Sequence, residues 1–336
     1  MEKRGYVAIL VMVFSCMSLV CCDVHEFPDK PKVLPFVLNL DFDTEMPLHK
    51  VIDIEAEVKT KSDAAASEPE FDVRYIVNAY DSEDENSREV LHHFVFTKDD
   101  ISELDNNLEL NVIEGTYRFV VWTDYVQQGS EDDLYYNTEK FENITLVDGE
   151  HSGSNDMRDA FMGTVTAEVS DESAGADIVM KRPMAKFNFI TTDVYEFVDE
   201  QLARRGVAQQ GLVDVEDYTI VFRYNGFMPD AYNLHTASTA NAGTGVSFSS
   251  KISALEGSEA ELGFDYVFVN NTETKVSVAV EVYDLEGKML SGFKPVDVPL
   301  MRSKLTTVKA EFLTSKAGGG VSVSPDYEGD HNVVIE

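Results

Sequence analysis

Alternation of apolar and polar residues is the feature of this sequence that most constrains its fold. Every second position of one stretch is apolar, at Leu34, Phe36, Leu38, Leu40 and Phe42. Because successive side chains of a β-strand point to opposite faces of a sheet, this spacing predicts a strand with one buried face. Alternating or strand-forming residues recur at 73–80, 116–122, 218–224, 264–268 and 275–283. The sequence therefore predicts a protein built mainly of β-strands.

One helix is predicted in the C-terminal half. Asp193 and Glu196 have the spacing of a capping box, and Gly206 follows at the distance expected of a helix end. Polar turns separate the strands, and strands do not alternate regularly with helices, which favours β-sandwiches over an α/β sheet. We expect an all-β fold with minor α content.

The length of 336 residues predicts two domains, each large enough to bury a core. The boundary is expected in a loop-like stretch near residues 170–183, before a strand at 185–191. The predicted organisation is a signal peptide at 1–21, a lipidated tether at 22–32, an N-terminal domain at 33–182 and a C-terminal domain at 183–336.

The charge balance excludes whole classes of partner. The chain has 27 Lys and Arg against 61 Asp and Glu, giving a net charge of −34. A nucleic-acid binder must supply cations to replace the counterions of the phosphates, so we expect no nucleic-acid partner. Electrostatic docking on anionic lipid headgroups is excluded for the same reason.

The N-terminus has the features of an export signal. Lys3 and Arg4 precede an uncharged, mostly apolar stretch at 6–20. That stretch is shorter than the roughly 20 residues a spanning helix needs. We therefore expect a signal peptide rather than a transmembrane anchor.

The end of this signal resembles a bacterial lipobox. Leu19-Val20-Cys21-Cys22-Asp23 places a Leu three residues before Cys22, the expected lipid anchor. All 3 cysteines (Cys16, Cys21 and Cys22) lie in this region, so the folded body has none for a disulfide or a thiolate site. The alternative is an ordinary signal peptide that leaves a soluble periplasmic protein.

The acidic residues after Cys22 resemble a surface-export signal; alternatively, they form a solvated spacer. We expect a lipid-anchored protein of the outer membrane, at the cell surface.

The sequence carries no recognisable catalytic or metal-binding motif. None of the 7 histidines has the spacing of a zinc site. The acidic stretch 81–86 resembles a calcium loop, but Asn86 stands where an EF-hand needs Gly, and His92 where it needs Glu. We expect no enzymatic activity, no cofactor and no bound metal.

One aromatic group admits two interpretations. It consists of Trp122, Tyr135 and Tyr136, with Arg158 further along the chain. These residues could form a surface platform that stacks on sugar rings or binds a protein. Alternatively, the aromatic residues close the sandwich while Arg158 pairs with Asp124 to fix a long loop.

Several sequence blocks resemble known families of Bacteroides-type lipoproteins. Those of the N-terminal half resemble an uncharacterised domain family, and those of the C-terminal half resemble the fimbrillin superfamily. The N-terminal blocks lie at 74–77, 121–126, 135–138 and 158–161; the C-terminal blocks lie at 182–189, 298–308 and 320–335.

This resemblance implies two transthyretin-like β-sandwich domains in tandem. In fimbrillins, a protease removes the first strand, and the vacated groove accepts a strand of another subunit by β-augmentation. Here the strand from Leu34 to Phe42 has the form of such a donor-type strand, and the candidate processing sites are Lys50, Lys59 and Lys61. No Arg lies in this stretch, which favours an anchored or accessory subunit over a polymerising one.

The sequence as a whole predicts a fimbrillin-type surface lipoprotein that acts in adhesion or fimbria assembly through strand addition. The expected partners are other fimbrial subunits or surface proteins, and the membrane through the lipid. The alternative is a glycan-binding lipoprotein that uses the platform near Trp122.

Overall fold

The computed structural model describes residues 31–53, 71–99, 107–205, 213–255 and 257–315. Short 3-10 helices lie at Asp156–Arg158 and Val215–Asp217, and one α-helix, α1, spans Val194–Arg205. The strands of the described part are β1 (Val33–Phe42), β2 (Leu48–Asp53), β3 (Phe71–Asp81), β4 (Val90–Lys98), β5 (Asn107–Ile113), β6 (Gly115–Gln127), β7 (Tyr136–Asn137), β8 (Ile144–Leu146), β9 (Phe161–Val169), β10 (Gly175–Met180), β11 (Met184–Thr191), β12 (Thr219–Tyr224), β13 (Met228–Asn233), β14 (Ser238–Gly243), β15 (Ser247–Lys251), β16 (Ser253–Ala254), β17 (Ala260–Phe268), β18 (Thr274–Tyr283), β19 (Met289–Leu300) and β20 (Leu305–Ala310).

Two sheets of the N-terminal half enclose one hydrophobic core. Their strand orders are β10-β1-β5 and β4-β3-β6-β9. The apolar faces of β1, β5 and β10 pack against those of β3, β6 and β9, with Phe36, Val77 and Phe119 fully buried between them. We refer to this pair of sheets as the N-terminal sandwich.

Two further sheets enclose a second core. Their orders are β16-β17-β11-β20-β2 and β15-β12-β18-β19. The core between them includes Phe189, Phe222 and Val280, and Phe197 of α1 packs onto it. We refer to this pair as the C-terminal sandwich. Its edge strand β2 comes from the N-terminal part of the chain.

A third hydrophobic cluster joins the two sandwiches. It lies on the outer face of β3 and β6, beneath a small sheet of order β14-β13-β8-β7. That sheet combines strands from both halves of the sequence. The cluster, which we call the junction, comprises Ile76, Tyr80, Val120, Trp122, Tyr136, Phe141, Ile144, Ala160, Met162, Met184, Tyr232, Leu234, Tyr266 and Phe268.

The all-β class with minor α content is confirmed, and every strand predicted from alternation is present. One local expectation is corrected: the stretch near 170–183 contains β10, which pairs parallel with β1 rather than forming only a loop. The predicted helix is present and begins at Val194, directly after Asp193. The Asp193 carboxylate also accepts hydrogen bonds from the main-chain N–H and the hydroxyl of Thr314, both at 2.7 Å.

Within the described ranges, no helix combines the length and apolar character required to cross a membrane. The predicted division at residue 183 and the transthyretin-like topology stay predictions. The signal peptide, Cys22 and tether residues 22–30 lie outside the described residues.

Candidate functional site

The first strand lies in the middle of its sheet. Leu34, Phe36, Leu38 and Leu40 of β1 are buried in the N-terminal core, as their spacing predicted. The ring of Phe36 stacks on Phe119 at 5.4 Å between centroids. Full burial of an aliphatic or aromatic side chain stabilises a fold by about 1.5–3 kcal/mol. The inward face of β1 is therefore a major part of this core.

Both main-chain edges of β1 are paired. It runs parallel to β10, with Leu38 opposite Ala176, and antiparallel to β5, with Leu38 opposite Leu108. Removal of β1 would leave an apolar groove flanked by two unpaired strand edges. Such a groove matches the needs of an incoming strand, because main-chain bonds give affinity and side-chain pockets give specificity.

The second strand belongs to the other sandwich. β2 runs parallel to β20 at the edge of the five-stranded sheet, and Ile52 is buried in the C-terminal core. Lys50 and His49 both lie 2.9 Å from the Glu273 carboxylate. Partial burial favours the neutral form of this carboxyl, but hydrogen bonds from Lys50 and His49 outweigh burial and lower the pKa of Glu273.

Of the candidate processing sites, Lys50 therefore lies inside a paired strand, with 42% of its side chain exposed. Lys59 and Lys61 lie outside the described residues. A protease must bind its substrate as an open, extended chain, so the ladder between β2 and β20 protects the bond after Lys50. Whether the chain is cut stays a prediction at all three lysines.

Residues 43–47 connect β1 to β2, and we call this connection the crossover. The guanidinium of Arg182 holds it: Nη1 donates to the carbonyl oxygens of Thr44 at 2.8 Å, Glu45 at 3.2 Å and Asp43 at 3.3 Å. The main-chain carbonyl of Pro47 accepts a hydrogen bond from the N–H of Leu305 at 3.1 Å. The crossover is thus fixed to residues from both halves of the sequence.

Arg182 is itself held from the opposite side. Its Nε and Nη2 donate to the Asp159 carboxylate at 2.8 to 2.9 Å, and its guanidinium lies 4.6 Å from the centroid of the Phe161 ring. Arg302 donates through Nε to the main-chain carbonyl of Arg182 at 2.6 Å. Arg182 is only 6% exposed, so its orientation is set almost entirely by protein groups.

A second buried charge cluster lies at the junction. Arg158 pairs with Asp265, which also contacts His151 Nε2 at 2.6 Å and accepts a hydrogen bond from the Tyr224 hydroxyl at 2.6 Å. Burial opposes ionisation of this carboxyl, but Arg158 and His151 outweigh burial and lower the pKa of Asp265. The expected pairing of Arg158 with Asp124 is wrong.

Asp124 pairs instead with Arg74 on the neighbouring strand. Arg74 donates to both carboxylate oxygens, at 2.7 and 2.9 Å, and both residues are 2% exposed. Arg74 and Asp124 face each other directly in the ladder between β3 and β6. A partner on the adjacent strand therefore excludes Arg158, which extends toward the C-terminal sandwich.

The predicted aromatic platform is corrected by its burial. Trp122 is 0% exposed and Tyr136 is 1% exposed, and their rings meet edge to face at 5.3 Å within the junction. Arg158 is buried as well, and Tyr135 is half-buried against the same cluster. A ring that stacks on sugar must present a free face, so these residues form a core and not a ligand platform.

Sequence reasoning missed β2 and the role of Arg182. β2 has six residues and no clear alternation, and its pairing is with a strand at the far end of the chain. In the sequence, Arg182 stood out only as the first residue of the block 182–189, which resembles the fimbrillin superfamily. Its position just before Pro183, at the change from one sandwich to the other, is the one local signal that could have marked it.

The chain matches one protein family, to which no activity is assigned. A model described as "Family of unknown function (DUF6562)" matches residues 35–336. No curated protein matches the chain.

Several solved structures have a similar arrangement at low sequence identity. A candidate cell adhesion protein from Bacteroides eggerthii has a TM-score of 0.47 at 11% identity, covering 91% of this chain and 94% of that chain. A candidate adhesin from Bacteroides ovatus has a TM-score of 0.44 at 11% identity, covering 84% and 89%. The fimbrial anchor protein Mfa2 from Porphyromonas gingivalis has a TM-score of 0.39 at 13% identity, covering 78% and 82%.

Proposed function

This chain belongs to DUF6562, a family of unknown function, and we propose that it is a lipid-anchored surface protein that acts in adhesion or fimbria assembly through β-strand addition. The lipid is carried by Cys22, and the expected partners are other subunits or surface proteins. The proposal includes no enzymatic step. The membership itself assigns no activity.

One observation carries this proposal: a single continuous segment, residues 33–53, supplies one strand to each sandwich. β1 fills the centre of an N-terminal sheet, and β2 extends the edge of a C-terminal sheet. Departure of that segment would open two strand sites at once. An incoming chain of similar length could fill both, which would give a joint held by two ladders.

The physical basis is strand addition between chains. The main-chain bonds of a ladder do not depend on side-chain identity, whereas the pockets left by Leu34, Phe36, Leu38 and Leu40 select apolar residues at alternate positions. Exchange of one strand for an equivalent one conserves both the main-chain hydrogen bonds of the ladder and the burial of apolar side chains in these pockets. The free energy of the product therefore stays close to that of the starting chain, and assembly needs no additional interface.

A disulfide lock tests whether β1 must leave. Val37 of β1 lies opposite Glu109 of β5 on the outer face of the sheet, so a Val37→Cys, Glu109→Cys pair would link the strands without disturbing the core. The mature body has no other cysteine beyond the lipidated one. We expect detergent-resistant oligomers of the reduced protein and none of the oxidised protein.

The matched control is a Ser277→Cys, Asp297→Cys pair, which links β18 to β19 across directly opposed positions. Its oxidation should leave oligomer formation unchanged. Equal oligomer yields from the oxidised β1 lock and its reduced form would contradict strand addition at this site.

The N-terminus of native material decides between an anchored and a polymerising subunit. Mass spectrometry of the mature protein should find acylated Cys22 followed by Asp23 if the subunit is anchored. An unlipidated N-terminus after Lys50, Lys59 or Lys61 would identify a polymerising subunit. A soluble protein cut elsewhere in the signal would refute the anchor.

The glycan-binding alternative has lost its predicted platform, since Trp122 and Tyr136 are buried. We do not retain it as a second function.

A further inference from the structure

Arg182 donates hydrogen bonds to main-chain carbonyl oxygens of the crossover. Its three short contacts there are to the carbonyl oxygens of Asp43, Thr44 and Glu45. A carbonyl oxygen is present in every residue type, including proline. Recognition at this point therefore requires a chain with a particular path and not a particular sequence.

The groups that orient Arg182 do not belong to the segment 33–53. Asp159 and Phe161 come from the chain around the start of β9, and Arg302 comes from the turn before β20. These contacts would persist after the segment left. The guanidinium would then keep its orientation while Nη1 lost all three carbonyl acceptors.

Hydrogen bonds from a charged donor are stronger than those between neutral groups, and a planar guanidinium that is already oriented loses little conformational freedom when an acceptor arrives. Arg182 is 6% exposed in the closed protein and is fixed by Asp159. An empty crossover site would thus offer a preoriented cationic donor to any carbonyl oxygen placed there.

We propose that Arg182 is a binding site for the main-chain carbonyl groups of whichever chain crosses between the two sandwiches. It holds the protein's own crossover first, and the crossover of an incoming chain after exchange. The inference rests on the proposed function, because it requires that the segment 33–53 can be replaced. The ligand is an extended polypeptide that fills both strand sites, with free choice of residue type at the crossover positions.

A peptide-exchange experiment tests this site. Limited digestion of the full chain with a Lys-specific protease, followed by inactivation of the protease, gives a nicked protein. Fluorescent peptides of residues 33–53 then compete with the bound segment. One peptide has the natural sequence, and the other carries Asp43→Ser, Thr44→Ser and Glu45→Gln.

We expect both peptides to bind the nicked wild-type protein with Kd values within about threefold of each other. In Arg182→Lys, both should bind at least tenfold more weakly, because an ammonium group cannot hold the Asp159 carboxylate and the carbonyl groups through one planar fork. If Arg182→Lys does not fold, Asp159→Asn, which removes the charge that orients the guanidinium, should give the same loss.

The matched control is Arg74→Lys, which weakens another buried Arg–Asp pair; Arg74 donates to Asp124, Asp133 and the Glu131 carbonyl and not to the crossover. It should lower Tm without changing either Kd. Equal Kd values in Arg182→Lys and Arg74→Lys would overturn the inference, as would a tenfold preference for the natural peptide. If neither peptide binds the wild-type protein, the inference fails too, and the disulfide lock shows independently whether the proposed function fails with it.

Discussion

The three buried arginines of the described residues each pair with a carboxylate, and each pair has a distinct structural task. Arg74 and Asp124 link adjacent strands, Arg158 and Asp265 link the two sandwiches, and Arg182 holds the crossover. Removal of one partner of such a pair typically costs 3–5 kcal/mol, because the other charge stays buried. At the scale of single residues, stability is therefore most sensitive at these positions and at the apolar face of β1.

Leu38→Asp should unfold the N-terminal sandwich. Leu38 is 0% exposed and contacts the centre of the core, where a carboxylate has no cation to pair with. Thermal unfolding followed by circular dichroism should show a loss of the folded transition at neutral pH. Asn111→Asp, on the exposed face of β5, is the control and should change Tm little; an unchanged Tm in Leu38→Asp would contradict the assigned packing.

His235 should make stability depend on pH. Burial, with Arg88 and Arg118 nearby, lowers the pKa of His235 to about 4. Between that value and the ordinary pKa near 6.5, the unfolded chain binds a proton that the folded protein does not. The contribution of His235 to stability is therefore complete above about pH 6.5 and declines as the pH falls toward 4.

The measurement for His235 is Tm at pH 7 and at pH 4.5 in the wild type and in His235→Asn. The fall in Tm between the two values should be smaller in the variant, while carboxyl groups contribute equally to both proteins. A variant that loses as much Tm as the wild type would show that this histidine does not titrate differently on folding.

At the scale of elements, the position of β1 depends on the close approach of β10. A Cβ atom on Gly175 would lie 2.7 Å from the Val37 carbonyl oxygen, a main-chain atom that cannot turn aside. Gly175→Ala should therefore push β10 away from β1 and destabilise the protein by about 1–3 kcal/mol, the usual range for overpacking.

Urea denaturation measures that loss, with Val179→Ala on the exposed face of β10 as the control. The variant should also exchange the amide hydrogens of β1 faster than the control does. Equal midpoints for Gly175→Ala and the control would mean that the two strands can separate slightly at no cost.

The elements also show how far sequence reasoning extends. The sequence predicted β1, β12 and β18 because each has one buried face, and a strand with one buried face shows alternating apolar and polar residues. β2 and β10 were not predicted as strands, since each has six residues and pairs in parallel with a strand distant in sequence. Burial of Trp122 was one of two interpretations. A cluster of aromatic residues in a sequence is equally consistent with a buried core and an exposed ligand platform, because the sequence does not show which elements pack over it.

At the scale of the whole molecule, the junction and the segment 33–53 join the two sandwiches into one body. The junction is apolar and excludes water from the outer face of β3 and β6. With a net charge of −34, mutual repulsion opposes compaction. Apolar burial between the sandwiches is what offsets that repulsion, and we expect the wild type to unfold in a single calorimetric transition.

Trp122→Ala should lower stability by about 3–5 kcal/mol, the range found for truncating a large buried aromatic residue. The loss falls on the contact between the sandwiches, so calorimetry should show two separated transitions in the variant. Phe227→Ala, at a side chain that is 73% exposed, should keep the single transition of the wild type. A single, unshifted transition in Trp122→Ala would contradict the role of the junction.

The pairing of β2 with β20 also determines the order in which the strands can pair while the chain is synthesised. Leu48 and Leu305 lie opposite each other although about three quarters of the chain separates them. A ribosome delivers β2 near the beginning and β20 near the end, so the earliest apolar strands wait through most of translation for the strand that receives β2. Contacts of such long sequence separation form slowly. The ladders that β2 and β11 form with β20 are therefore completed only after β20 has been synthesised.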